Sequence, residues 1–107
     1  NPKFTNKNGA CMIIGKNMYA MLLLEKFFKG FIKKKIANAK KTTEVLVALQ
    51  LNSRKEVNLM VAKAVKAGGK LYSKPQEHGF MYAHAFADLD GHQWEPFYMD
   101  LKKMPKQ

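Results

Sequence analysis

The chain has 107 residues, enough for one small hydrophobic core and too few for two independent ones. Nineteen Lys and Arg against eight Asp and Glu give a formal charge of +11, and a hydrophobic fraction of 47% excludes a disordered basic tail. No apolar run approaches the roughly 20 residues of a membrane-spanning helix, so no membrane partner is expected.

Gly9 and Gly15 bracket Ala10-Cys11-Met12-Ile13-Ile14, an apolar run that reads as a strand. Met18 to Leu24 reads as its partner across a Gly15-Lys16-Asn17 turn. Cys11, alone in the sequence, excludes an intrachain disulfide and fits a cytoplasmic location with no signal peptide at the start. It has no neighbouring His or Lys motif and reads as buried filler.

Over 26–41, Phe27, Phe28, Phe31, Ile32 and Ile36 recur at helical spacing among lysines. This predicts a connecting helical segment whose apolar face caps the core, with a membrane-surface helix as the alternative. Glu44 to Leu51 reads as a continuous apolar strand buried on both faces. Ser53 and Glu56 form a capping box ahead of a helix whose stripe is Val57, Met60, Val61, Ala64 and Val65, with Gly68-Gly69 as its stop.

Three strands follow: Lys70 to Tyr72, Phe80 to Ala87 and His92 to Met99, with the last two joined by Asp88-Leu89-Asp90-Gly91. The turn sets Phe86 opposite Trp94, Ala85 opposite Glu95 and Ala83 opposite Phe97. Alternation then puts Met81, Ala83, Ala85, Gln93, Glu95 and Phe97 on one face, where the two alanines leave room for a ligand or for a close backbone contact. Tyr82, Phe86 and Trp94 take the other face as helix-packing core. Pro96 cannot donate to a ladder, which predicts a bulge or an edge.

The histidines do not cluster. His92 is expected to pair with the Asp88 carboxylate, His84 to point away from Glu95, and His78 to sit in a loop. The basic charge is weak support for nucleic acid: eighteen of the nineteen cations are Lys, and base readers favour the Arg fork. A basic nucleic-acid-binding protein is therefore a secondary alternative.

Gly79-Phe80-Met81-Tyr82, Phe86-Ala87-Asp88-Leu89-Asp90-Gly91-His92 and Trp94-Glu95 resemble the vicinal oxygen chelate superfamily of glyoxalases, bleomycin-resistance proteins and dioxygenases. The segment from Lys40 to Gly69 fits as well, so the likeness spans nearly the whole chain. The resemblance implies an α+β fold of paired βαβββ modules forming a curved, cavity-enclosing mixed sheet, usually in a homodimer. The first module is incomplete here, without its opening strand and helix. The chain then reads as one domain, 1–107, with 1–25 the remainder of the first module, 26–41 the connection, 42–100 the second module and 101–107 a frayed tail.

The resemblance also implies a divalent metal as cofactor in many members, held by His, Glu and Gln side chains. Glu95 matches the ligand position on the last strand, but Met21 and Leu46 stand at two others, with Glu44 near the second. One visible ligand is not a site, so no cofactor is expected, and Glu95 and Glu44 are metal candidates only if a centre exists. The expected function is binding of a small apolar or aromatic molecule by Met21, Met81, Ala83, Ala85, Gln93, Glu95 and Phe97. A metal-dependent lyase or dioxygenase, with Glu95 as its catalytic candidate, is the main alternative.

Overall fold

Apolar runs punctuated by glycine and asparagine give the N-terminal residues a hairpin in the computed structural model, which describes residues 1–103. Strands β1 (Gly9–Gly15) and β2 (Met18–Leu23) pair antiparallel with Cys11 opposite Met21. Asn17 takes the turn at φ 63°, a conformation asparagine tolerates better than most residues. Cys11 is buried. This hairpin lies in one of the chain's two compact units, Asn1–Ala37; the other is Asn38–Gln107.

The helix expected over 26–41 is cut short. Only α1 (Glu25–Phe28) and a 3₁₀ turn, Lys29–Phe31, form. Leu24 supplies no side-chain cap, Gly30 lowers helix propensity, and Lys33, Lys34 and Lys35 repel one another, so a marginal segment stops within two turns. The phenylalanines do not cap a core: Phe31 is 68% exposed and packs edge-to-face on Phe27 at 5.3 Å.

The second unit is built as strand, helix and strands. Strand β3 (Leu46–Leu51) leads into helix α2 (Arg54–Lys66). Ser53 Oγ accepts from the Glu56 N–H at 3.1 Å, and the Glu56 carboxylate accepts from the Asn52 N–H at 2.8 Å, so both orphan donors are met. Val57 and Val61 are the buried members of the α2 stripe. Beyond the helix Gly68 turns at φ 108°, a left-handed position that suits glycine.

Next come β4 (Lys70–Leu71), β5 (Gln76–Glu77), β6 (Met81–Ala83), β7 (Phe86–Ala87) and β8 (Gln93–Met99). β8 is central, with β3 parallel on one side and β6 and β7 antiparallel on the other; β4 extends β7 and β5 extends β6. Together with α2 this is the βαβββ order of a mixed-sheet α+β module. Leu101–Lys103 forms a 3₁₀ turn, and the last four residues of the expected tail lie outside the described residues.

Two strand expectations need correction. β3 is half-buried on one face only, at Val47, Leu49 and Leu51, while Leu46, Ala48 and Gln50 are exposed. Its apolar composition hid an ordinary alternation, because Leu and Ala stand where a polar residue would mark the open face. Pro96 makes neither an edge nor a bulge. It is fully buried in the central strand, and the register runs unshifted from Ala83↔Phe97 to Phe86↔Trp94.

What Pro96 does is interrupt its neighbour. The His84 N–H donates to the Pro96 C=O at 3.1 Å, and proline has no N–H to return. The strand expected over 80–87 therefore breaks at His84 and Ala85 into β6 and β7.

The side facing α2 is as the alternation places it: Phe86 is buried, and the Tyr82 hydroxyl donates to Asn58 Oδ1 of α2 at 2.7 Å. His92 departs from expectation. Asp88 Oδ1 accepts from the backbone N–H of Asp90 and of His92, at 2.9 and 3.0 Å, and its Oδ2 accepts from the Trp94 indole at 3.0 Å. The carboxylate is engaged by backbone and indole donors rather than by the imidazole. Gly91 closes this turn at φ 93°, and a side chain there would meet the Ala39 carbonyl at 2.9 Å.

Candidate functional site

Pairing on the outer side of β6 and β7 sets up a mismatch in chain length. Leu71 lies opposite Phe86, and Gln76 lies opposite Ala83. Between these pairs the outer chain has four residues, Tyr72–Pro75, while the inner chain has two, His84 and Ala85. Pro75 cannot donate to a ladder, so the excess is not absorbed by regular pairing and the loop bows out.

A cavity of about 130 Å³ lies under the bow. Tyr72, Ser73, Lys74 and Gln76 line it from the outer chain, Ala83, His84 and Ala85 from the inner, and Glu95 from β8. Burial, and then the Glu95 charge, push the Tyr72 phenol above its usual value. At neutral pH it is therefore a protonated donor beside a carboxylate. Burial pushes His84 below the ordinary histidine range, which keeps its imidazole neutral.

His84 also borders a second, largely apolar hollow of about 480 Å³ beside α2, lined by Val61, Ala62, Val65 and Leu71 among others. Its Nδ1 is buried and has no hydrogen-bond partner among the described residues.

Of the ligand residues expected from sequence, the structure brings Ala83, Ala85 and Glu95 together in the smaller cavity. Met81 and Phe97 share their face by register, Met81 opposite Met99 and Phe97 opposite Ala83, and Gln93 lies opposite Ala87, but none of the three lines that cavity. Met21 is half-exposed on β2 in the other compact unit. Glu44 lies two residues before β3 and does not line the cavity.

Sequence reasoning missed Tyr72, Ser73, Lys74 and Gln76, and it expected His84 to point away from Glu95, whereas His84 lines the same cavity as Glu95. The available signal was Pro75 facing a segment interrupted by Pro96, but only the pairing register shows that the two proline sites bracket one gap.

The donor set does not suit the divalent metal that the resemblance implies. A zinc-type centre takes three or four N, O or S ligands, and the cavity offers one carboxylate, Glu95, and one histidine whose Nδ1 is buried, its other side-chain oxygens being the neutral ones of Tyr72, Ser73 and Gln76. Among the described residues no group of three or more His, Cys, Asp or Glu comes together. Also among them, no helix is long and apolar enough to cross a membrane.

No protein-family profile matches the chain, and no curated protein matches it. Solved structures do. A hypothetical protein from S. aureus is 26% identical with a TM-score of 0.73, over 85% of this chain and 68% of that one. A glyoxalase-related enzyme from Fulvimarina pelagi is 19% identical with a TM-score of 0.73, over 89% and 67%. A glyoxalase/bleomycin resistance protein/dioxygenase from Nocardioides is 20% identical with a TM-score of 0.66, over 96% and 69%.

Proposed function

We propose that this chain, whose fold is that of the vicinal oxygen chelate superfamily, is a small-molecule-binding protein of the glyoxalase/bleomycin-resistance type that assembles no metal centre from its own side chains. The observation that carries this reading is the Glu95 cavity: one carboxylate, one neutral histidine and a phenol over an alanine floor. Such a set can orient a ligand by hydrogen bonds, while it gives a metal only one carboxylate and one histidine. The lining also revises the expected ligand. Six of the eight residues are polar, so a small hydrogen-bonding molecule fits better than an apolar or aromatic one.

The chain is read as a single cytoplasmic domain, 1–107, acting as a homodimer. Support for a second copy comes from β3, which among the described residues pairs only with β8, and from exposed Val45 and Leu46 at that open edge. The competing reading, a metal-dependent lyase or dioxygenase, draws on the names of two fold neighbours.

Exposure to zinc, nickel, manganese and ferrous iron, followed by dialysis and metal analysis, separates these readings. The binding-protein reading expects far less than one ion per chain. It also expects Glu95→Gln to keep its affinity for neutral fragments within about threefold. One ion per chain, lost in Glu95→Gln, would establish the enzyme reading instead. For the nucleic-acid alternative, DNA binding with a steep salt dependence is the supporting result, and no binding at low salt ends it.

A further inference from the structure

Helix α2 leaves part of its apolar surface open. Asn58, Val61, Ala62, Val65 and Lys66 recur at intervals of three and one, a single stripe of the helix, and line the hollow of about 480 Å³. Leu71 and His84 complete the lining. Val61 is buried, but Val65 is 41% exposed and Leu71 53% exposed, so both keep apolar surface open there. Leu71 lies on β4, at the opposite edge of the sheet from β3, and the interface proposed for a second copy does not cover it.

The stripe from Asn58 to Lys66 runs roughly 12 Å at 1.5 Å per residue, and the volume falls within the roughly 300–1,000 Å³ of small-molecule sites. Its charge is one-sided. No acidic residue lines the hollow, and burial keeps His84 neutral. The Asn58 side-chain oxygen is already taken by the Tyr82 hydroxyl at 2.7 Å. Lys66, in the last turn of α2, is the charged residue of the lining, and no carboxylate pairs with it among the described residues. An apolar trough that ends at an ammonium complements an apolar chain that ends in an anion, and the formal charge of +11 draws small anions to the chain.

We infer that the hollow beside α2 binds a small amphipathic carboxylate, whose headgroup pairs with Lys66 and whose apolar chain lies on Val61, Val65 and Leu71. This site is separate from the Glu95 cavity, with His84 as the wall the two share, and it does not depend on the function proposed for that cavity. Burial of the chain supplies most of the affinity. The ion pair, made at an exposed ammonium, selects the acid over a neutral molecule of the same length by a few-fold.

Octanoate and 1-octanol test this, because they share a chain and differ in charge. Each is titrated at low salt into isotope-labelled protein, wild type and Lys66→Gln, following the backbone amides. The expected result is saturable shifts from Asn58 to Lys66 and at Leu71 with both probes. Octanoate should bind about fivefold more weakly to Lys66→Gln, while 1-octanol keeps its affinity within about twofold. Ala62 is exposed, so Ala62→Phe fills the hollow without disturbing the core, and it should abolish the shifts from both probes. Equal octanoate affinity in wild type and Lys66→Gln overturns the inference, as do shifts that persist in Ala62→Phe. Shifts confined to the Glu95 cavity, or none that saturate along the stripe, overturn it as well. If the stripe amides move with protein concentration in the absence of probe, a second copy covers this face and the proposal falls.

Discussion

Toward β3, strand β8 carries an unbroken parallel ladder from Leu46↔Gln93 to Leu51↔Tyr98; toward β6 and β7 its antiparallel ladder stops at Ala83 and resumes at Phe86. Both flanks contain Pro96, which lies opposite Leu49 on one side and accepts from His84 on the other. The difference follows from direction. A strand residue sends its N–H to one side only, and that of residue 96 would have gone to His84. The same proline is therefore silent on the parallel flank and disruptive on the antiparallel one. The gap it leaves is where the outer chain bows and the cavity forms.

Four changes break or sharpen this contrast. Val57 is 0% exposed on the buried face of α2, which packs on β8, so Val57→Ala should weaken both flanks together. A loss of about 2 kcal/mol in urea unfolding is expected, with faster amide exchange on β3 and β6 alike. Ser53→Ala removes the cap that starts α2 directly after β3. About 1 kcal/mol should be lost, and exchange should rise first at the end of β3 and the start of α2 while cavity binding is kept.

Pro96→Val restores the missing donor. The regained bond to the His84 carbonyl and the lost restraint on the unfolded chain oppose each other, leaving a net change within about 0.5 kcal/mol. The informative readout is local: exchange around His84 and Ala85 should slow, fragment affinity should fall, and the β3 flank should be unchanged.

The smallest effect is on pH dependence. Burial lowers the His84 value from 6.5, so as the pH falls through that value the unfolded chain takes up a proton that the folded chain resists. Stability should decline as the pH drops below ~6.5, by an amount that His84→Phe removes.

The legible parts of the fold were those whose cause is local. The capping box, the Asp88-Leu89-Asp90-Gly91 turn and the resulting register each depend on residues a few positions apart, and each is found. Segment 26–41 was misread because its periodicity suggested a helix that weak capping, Gly30 and clustered lysines do not sustain. The both-face burial expected of β3 failed for another reason: composition cannot reveal which face of an apolar strand is left open.

The site was half legible. Ala83, Ala85 and Glu95 follow from the hairpin register, a local property. The Tyr72 loop and His84 depend on how a short outer strand pairs with an interrupted inner one, and no window of sequence encodes that mismatch. Even the meaning of Pro96 was visible only in part. The missing donor could be read from the residue, but not which neighbour would lose it.

The most direct test of the central claim is an amide-shift map of the wild-type protein against a library of small polar fragments. Saturable shifts are expected to gather on Tyr72, Ser73, Lys74, Gln76, Ala83, His84, Ala85 and Glu95. Shifts centred instead on Met81, Gln93 and Phe97, with the gap residues unmoved, would contradict the claim.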